Sequence, residues 1–252
     1  MATDNGMKND YEKQATSYED IYSTGAPFVR LEAELITSAL GRVSGVVLDL
    51  GGGTGLRARQ ALAAGATAVD VVDISPEMMR QGQEATAAGA AIRWFEADVS
   101  QPLSHLPLRP AYDLVMANWV FDHAGSVAML EGMWRNVAAY LKPGGRFLGA
   151  RCGNPRAPAM ATGELGVLFK DFEDIPGGVK YRYAFKALAL DVEATSMETS
   201  YSGSTEMHEK YGLVDVQIEP YENTEIVKQN PEIWKSFLEE PGVAVVKAVK
   251  KS

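Results

Sequence analysis

Residues 46–55, VVLDLGGGTG, limit what this chain can fold into more than any other stretch. Val46, Val47, Leu48 and Leu50 are aliphatic and Gly45 precedes them, so they read as a short buried strand. Three glycines, Thr54 and Gly55 follow, then LRARQALAAG, a run of good helix formers. A strand, a glycine turn and a helix in succession let a ligand come close to backbone at a helix N-terminus. Asp49 stands among the aliphatic residues, where an unsatisfied charge is costly. Its carboxylate either bonds the N–H groups of the glycine loop or also meets the polar tail of a ligand.

The spacing of the glycines separates two kinds of cofactor loop. Gly51 and Gly53 fit the first two places of G-x-G-x-x-G, the nicotinamide pattern, but the third place falls on Leu56. The phosphate loop G-x-x-x-x-G-K-[ST] is absent. The glycines run Gly51, Gly53, Gly55, with an acid two residues before the first. This D-x-G-x-G-x-G pattern resembles motif I of the class I S-adenosylmethionine-dependent methyltransferases. The resemblance implies an α/β, Rossmann-like, doubly wound fold whose seven-stranded sheet is mostly parallel with an antiparallel last strand. It also implies S-adenosylmethionine as cofactor, with Asp49, Gly51, Gly53 and Gly55 forming its loop.

At 252 residues the chain is expected to be a single domain over 1–252. The net charge of -9 argues against a nucleic-acid partner and an anionic membrane surface. There is no apolar run of membrane-span length, and the polar start MATDNGMKND lacks a signal-peptide core. A single cysteine, Cys152, excludes an internal disulfide framework and suits a reducing cytoplasm. The expectation is a cytoplasmic monomer or homodimer acting on a small molecule. One cysteine and the widely separated His105, His123 and His208 make no zinc site, so no metal is expected.

Residues 1–24 are polar with Tyr11, Tyr18 and Tyr22 spaced to share one helical face. They either staple a helix to the core or form a lid over a cleft. Tyr11, Ala15, Tyr18 and Glu19 loosely match a segment that precedes motif I in the resembled family. Pro27 opens a helix that Gly41 ends. ATAVDVVD then reads as a second strand ending at Asp73, 22 residues after Gly51. An acid there can accept from both hydroxyls of a ribose; Ser75, before Pro76, is the better helix cap. By resemblance, Ile74 and Met78 pack an adenine ring, Asp98 accepts from its amino group and Val99 supplies a nearby N–H. Asp98 also reads as a turn aspartate. A fourth strand opens at Tyr112-Asp113, and the resemblance turns its far end, Asn118 and Trp119, to the methyl donor. L-K-P-G-G-R-F, 141–147, is characteristic of the family; physically it is a helix-to-strand turn.

Residues 153–203 form an insertion in which only the later part, around 181–200, reads as an antiparallel hairpin. Such an insertion shapes an acceptor pocket or makes a surface or dimer contact. Aromatic side chains suit a cationic sulfonium and a flat acceptor. Tyr18 is assigned to the donor, and Tyr22, Phe121, Phe169, Tyr181 and Tyr183 to the acceptor. His105 and His208 read as surface residues. His123 follows the strand that the resemblance turns toward the methyl group. It is either a general base or a hydrogen-bonding or capping residue. The reading is methyl transfer to oxygen or nitrogen of a small molecule by aligned displacement in a closed aromatic pocket. The alternatives are an NAD(P)-dependent reductase, which lacks its Y-x-x-x-K pair here, and a non-catalytic S-adenosylmethionine-binding module.

Overall fold

The computed structural model describes residues 5–15, 18–188, 190–201 and 203–252. The strands in chain order are β1 (Val46–Leu50), β2 (Ala68–Asp73), β3 (Ile92–Glu96), β4 (Tyr112–Met116), β5 (Leu141–Cys152), β6 (Val167–Ile175), β7 (Gly178–Phe185), β8 (Leu190–Met197), β9 (Leu213–Ile218) and β10 (Val243–Lys250). The helices are α1 (Asn5–Gln14), α2 (Pro27–Leu40), α3 (Leu56–Ala63), α4 (Pro76–Ala85), α5 (Val127–Tyr140), α6 (Pro158–Thr162), α7 (Glu206–Lys210), α8 (Glu225–Gln229) and α9 (Pro231–Glu239). The large sheet has the order β3-β2-β1-β4-β5-β10-β9. Strands β1 to β5 pair in parallel, and β10 runs antiparallel to both β5 and β9. This is the Rossmann-like, mostly parallel seven-stranded arrangement expected from the glycine turn.

Successive residues of a strand face opposite sides of the sheet. Val47 therefore joins Leu31, Leu35 and Ile36 of α2 in one buried cluster, while Leu48 and Leu50 join Trp134 and Phe147 in another. Both faces are covered, so β1, β2 and β4 are apolar almost throughout. Asp70 is one of the acids among them, in the middle of β2. It lies fully buried in β2 and accepts from Arg93, Arg109 and the Tyr112 hydroxyl. Burial pushes its carboxyl up, but these hydrogen bonds outweigh burial and hold it below the usual range. β1 lies between β2 and β4, so the strand order reverses there. The carboxyl ends of strands at such a reversal frame a ligand crevice.

Four expectations need correction. The turn at 142–146 does not precede the strand but is absorbed into β5, whose pairing with β4 is irregular between Tyr112 and Leu114. Asp113 fixes it by accepting from Lys142 Nζ at 2.8 Å and Val46 N–H at 2.8 Å. The insertion holds a three-stranded antiparallel sheet, β6-β7-β8, rather than a hairpin. β6, VLFKDFEDI, escaped recognition because only its first half is buried and a bulge interrupts its pairing at 170–173. Tyr11, Tyr18 and Tyr22 do not share a helix, since α1 ends at Gln14 and Tyr22 lies in a separate 3-10 turn, Glu19–Ser23. His208 is buried, its ring centroid 4.6 Å from that of Trp134 and 5.6 Å from that of Phe147. Burial chiefly, and Arg151 secondarily, push its pKa down to about 3.

Candidate cofactor and acceptor site

The crevice begins at the glycine turn. Gly51 and Gly52 donate to Val72 O, and Gly53 N–H donates to Asp73 Oδ2 at 2.7 Å. The loop N–H groups thus go to β2 rather than to Asp49, correcting the first of the two readings of that residue. Asp49 Oδ2 is buried directly beneath Gly52 and has no partner among the described residues. Burial above all pushes this carboxyl up to about 7; Arg57 opposes the shift and Asp73 adds to it. Gly55 caps α3 with φ 70°, and a Cβ there would meet Trp94 at 2.4 Å. It sets the start of the helix but does not line the cleft, unlike Gly51 and Gly53.

Asp73 lines the same cleft, of about 190 Å³. Its Oδ1 accepts from Ser75 N–H at 2.8 Å, and Ser75 Oγ in turn caps α4 at Met78 N–H. Burial raises the Asp73 pKa, against the pull of these backbone hydrogen bonds. Ile74, Met78, Asp98 and Val99 continue the wall. Asp98 also serves its turn, accepting from Ser100 N–H at 2.8 Å. Asn118 and Trp119 form the opposite side. Asn118 Oδ1 accepts from Ala150 N–H at 3.1 Å, and its buried Nδ2 has no partner among the described residues. Trp119 takes a left-handed backbone, φ 62°, rare for a bulky residue, and donates from Nε1 to Glu32 Oε1 at 3.2 Å.

A second chamber, of about 50 Å³, lies between α2, the 18–23 turn and the β6–β7 pair. Phe28, Phe169, Tyr181, Tyr183 and Phe185 line it, and Tyr18, Tyr22, Trp119 and His123 line both spaces. His123 Nε2 lies 2.8 Å from Tyr11 Oη, which lies 2.9 Å from Tyr183 Oη. Burial pushes the imidazole down to about 4, and its buried Nδ1 has no partner among the described residues. The neighbouring Asp122 turns elsewhere, accepting from Ser196 Oγ at 2.7 Å and Cys152 N–H at 2.9 Å. Burial lifts Asp122 to about 6, against those hydrogen bonds.

Of the residues expected at the site, Phe121 is misplaced. It stacks on Trp134, centroids 4.5 Å apart, in the core on the far side of the sheet and lines neither chamber. Sequence reasoning missed the buried ion pair of Arg57 and Glu32, 2.6 Å apart, behind Tyr22. It also missed Glu193 and Thr195 of β8, which reach the cleft beside His123. No local signal marks these contacts, because Arg57 and Glu32 lie 25 positions apart and Thr195 meets His123 from a distant strand.

The sheet order, the glycine turn and the acids that end β1 and β2 together define a class I methyltransferase fold. Residues 48–147 match the family model described as a methyltransferase domain. Over 103 residues it is 27% identical to the malonyl-[acyl-carrier protein] O-methyltransferase of Halalkalibacterium halodurans. That alignment covers 40% of this chain and 37% of the relative, so the chain spans little more than a third of the length of this curated protein. A solved S-adenosylmethionine-dependent methyltransferase from Mesorhizobium loti superimposes with a TM-score of 0.58 at 21% identity, covering 90% of this chain and 99% of its own. The N-methyltransferase NodS from Bradyrhizobium japonicum, solved with S-adenosyl-L-homocysteine, gives 0.61 at 15% identity, with 98% and 100% covered. Among the described residues no helix is long and apolar enough to cross a membrane.

Proposed function

We propose that the protein transfers a methyl group from S-adenosylmethionine to oxygen or nitrogen of a small-molecule acceptor. The observation that carries this reading is Asp49. A buried carboxylate oxygen without a partner, in a cleft edged by a glycine turn, calls for a cationic group from a ligand. The α-ammonium of an amino-acid-bearing cofactor fits that need. Asp73 retains further acceptor capacity for the ribose hydroxyls, and Ile74, Met78 and Val99 offer an apolar bed for adenine beside Asp98. S-adenosylmethionine supplies an electrophilic methyl on a sulfonium. The remaining work falls to this chain: holding the two molecules in line, excluding water and receiving a proton. Tyr18, Tyr22, Trp119 and His123, shared by the two chambers, stand where that alignment would occur. The O-methyltransferase and N-methyltransferase among the similar proteins support either acceptor atom. In this reading 1–252 is one catalytic domain, 1–24 its lid and 153–203 its acceptor side.

Calorimetry tests the reading. S-adenosylmethionine and S-adenosylhomocysteine should bind, while NAD and NADP should not. Tight nicotinamide binding with no response to the sulfonium would return the chain to the reductase alternative. Donor binding without turnover across a broad acceptor library would favour the binding module.

A further inference from the structure

We infer that the acceptor is an uncharged aromatic ring bearing a hydroxyl or amino group, seated in the second chamber with that group at His123 Nδ1. This rests on the proposed methyl transfer and names its substrate class.

Three observations support it. First, the chamber walls are aromatic and held at angles to one another. Phe28 meets Trp119 at 6.2 Å with planes 45° apart, and Phe169 meets Tyr183 at 6.4 Å with planes 56° apart. Tilted rings at such distances accept the face or edge of another ring between them.

Second, the charges exclude an anion. Among the described residues no lysine or arginine lines this chamber, whereas Glu32 and Asp122 do. Of the cations lining the adjoining cleft, Arg57 is committed to Glu32 at 2.6 Å, Gln60 at 2.9 Å and Tyr22 at 3.0 Å, and Lys8 lies 3.8 Å from Glu12 and 3.9 Å from Glu96. A carboxylate acceptor would be buried without a counter-ion beside two carboxyl groups, an arrangement that carries a heavy desolvation cost.

Third, His123 has a nitrogen to offer. Tyr11 Oη is within hydrogen-bond distance of both His123 Nε2 and Tyr183 Oη. When Nε2–H donates to Tyr11 and Tyr11 donates to Tyr183, Nδ1 carries a lone pair. Among the described residues that buried nitrogen has no partner, and it lies on a residue lining both chambers. An O–H or N–H of the acceptor satisfies it.

The reaction balances without another reagent. The acceptor oxygen or nitrogen bonds to the methyl carbon as the sulfur–carbon bond breaks, and the sulfur keeps that electron pair as a neutral thioether. The proton leaves the alkylated atom for His123 Nδ1 and passes on to water. A weak base suffices, because alkylation makes the departing proton far more acidic than it was on the free acceptor.

The test uses ring-matched probes with the whole 252-residue chain and S-adenosylmethionine: 2-naphthol, 2-naphthylamine and 2-naphthoate, and likewise phenol, aniline and benzoate. Methylated product is followed by mass spectrometry, while calorimetry with S-adenosylhomocysteine reports donor binding separately. At least one hydroxyl or amino probe should exceed its matched carboxylate in kcat/KM by roughly 100-fold. Equal or faster esterification of the carboxylates overturns the inference, and so does donor binding with no turnover of any probe. Absence of donor binding removes the underlying methyl-transfer reading instead. His123→Asn should lower kcat on the favoured probe at least tenfold with little change in donor affinity. An unchanged kcat would remove Nδ1 from the proposal.

Discussion

Asp49 has a carboxyl held near pH 7 by burial and, in this reading, an ammonium to receive. It must ionise to make that ion pair, so donor affinity should fall as pH drops below about 7, by up to about tenfold per unit. Asp49→Asn should bind the donor more weakly and with no such slope between pH 5.5 and 7; a parallel slope in the variant would place the titrating group elsewhere. Asp73→Ala removes the acceptor for Gly53 N–H as well as any bond to ribose. Donor affinity should drop by tenfold or more, at about 1.5–3 kcal/mol for each charged bond lost; unchanged calorimetric affinity would remove Asp73 from the ribose. Both acids were legible in the sequence because each stands at a fixed distance from the glycine turn. Phe121 and His208 were misread for the opposite reason: adjacency to a site, or polar neighbours, says nothing about which face a turn or short helix presents to the core.

At the level of elements, α1 reaches the site through Tyr11, bonded to His123, and through Lys8, which lines the cleft. The ion pair of Asp10 with Arg182, at 3.2 Å, holds the same helix to β7. If α1 covers bound ligand, backbone hydrogen exchange over 8–14 should slow on adding S-adenosylhomocysteine; equal protection in both states would make it a structural staple. The small sheet is tied in differently. Phe169, Val179 and Tyr181 belong to the same core cluster as α2, so removing the β7–β8 pair would expose that core as well as alter the acceptor side. A finer probe is Ser196→Ala, which deprives buried Asp122 of a 2.7 Å hydrogen bond. It should cost about 1–3 kcal/mol in urea unfolding, and no loss would show that Asp122 finds another donor. The parallel strands were legible because burial on both faces writes continuous aliphatic runs. β6 was not, because an acidic, half-exposed strand looks like a loop.

Across the whole molecule, burial sets two pairs of titrating groups against each other. His123 and His208 have folded values of about 4 and 3, below the ordinary 6.5 or so. The stability they contribute is complete above pH 6.5 and is lost as pH falls toward those values. Asp49 and Asp122, near 7 and 6, lie above the ordinary range, so their contribution is complete below about pH 3.9 and is lost as pH rises through 6 and 7. Removing one acid unbalances the set. The melting temperature of Asp49→Asn relative to the wild type should climb by about 2–6 °C between pH 4 and 7.5, and a constant difference would mean that Asp49 ionises normally. The sheet has one more consequence, in the order of events during synthesis. β10, last of the strands to leave the ribosome, occupies an interior place between β5 and β9. Until it arrives, β5 presents an open edge and β9 has no neighbour on that side. The nascent chain therefore carries the open border of β5 from the synthesis of Cys152 onward and that of β9 from Ile218 onward, and any truncation that loses β10 leaves them both available to other chains.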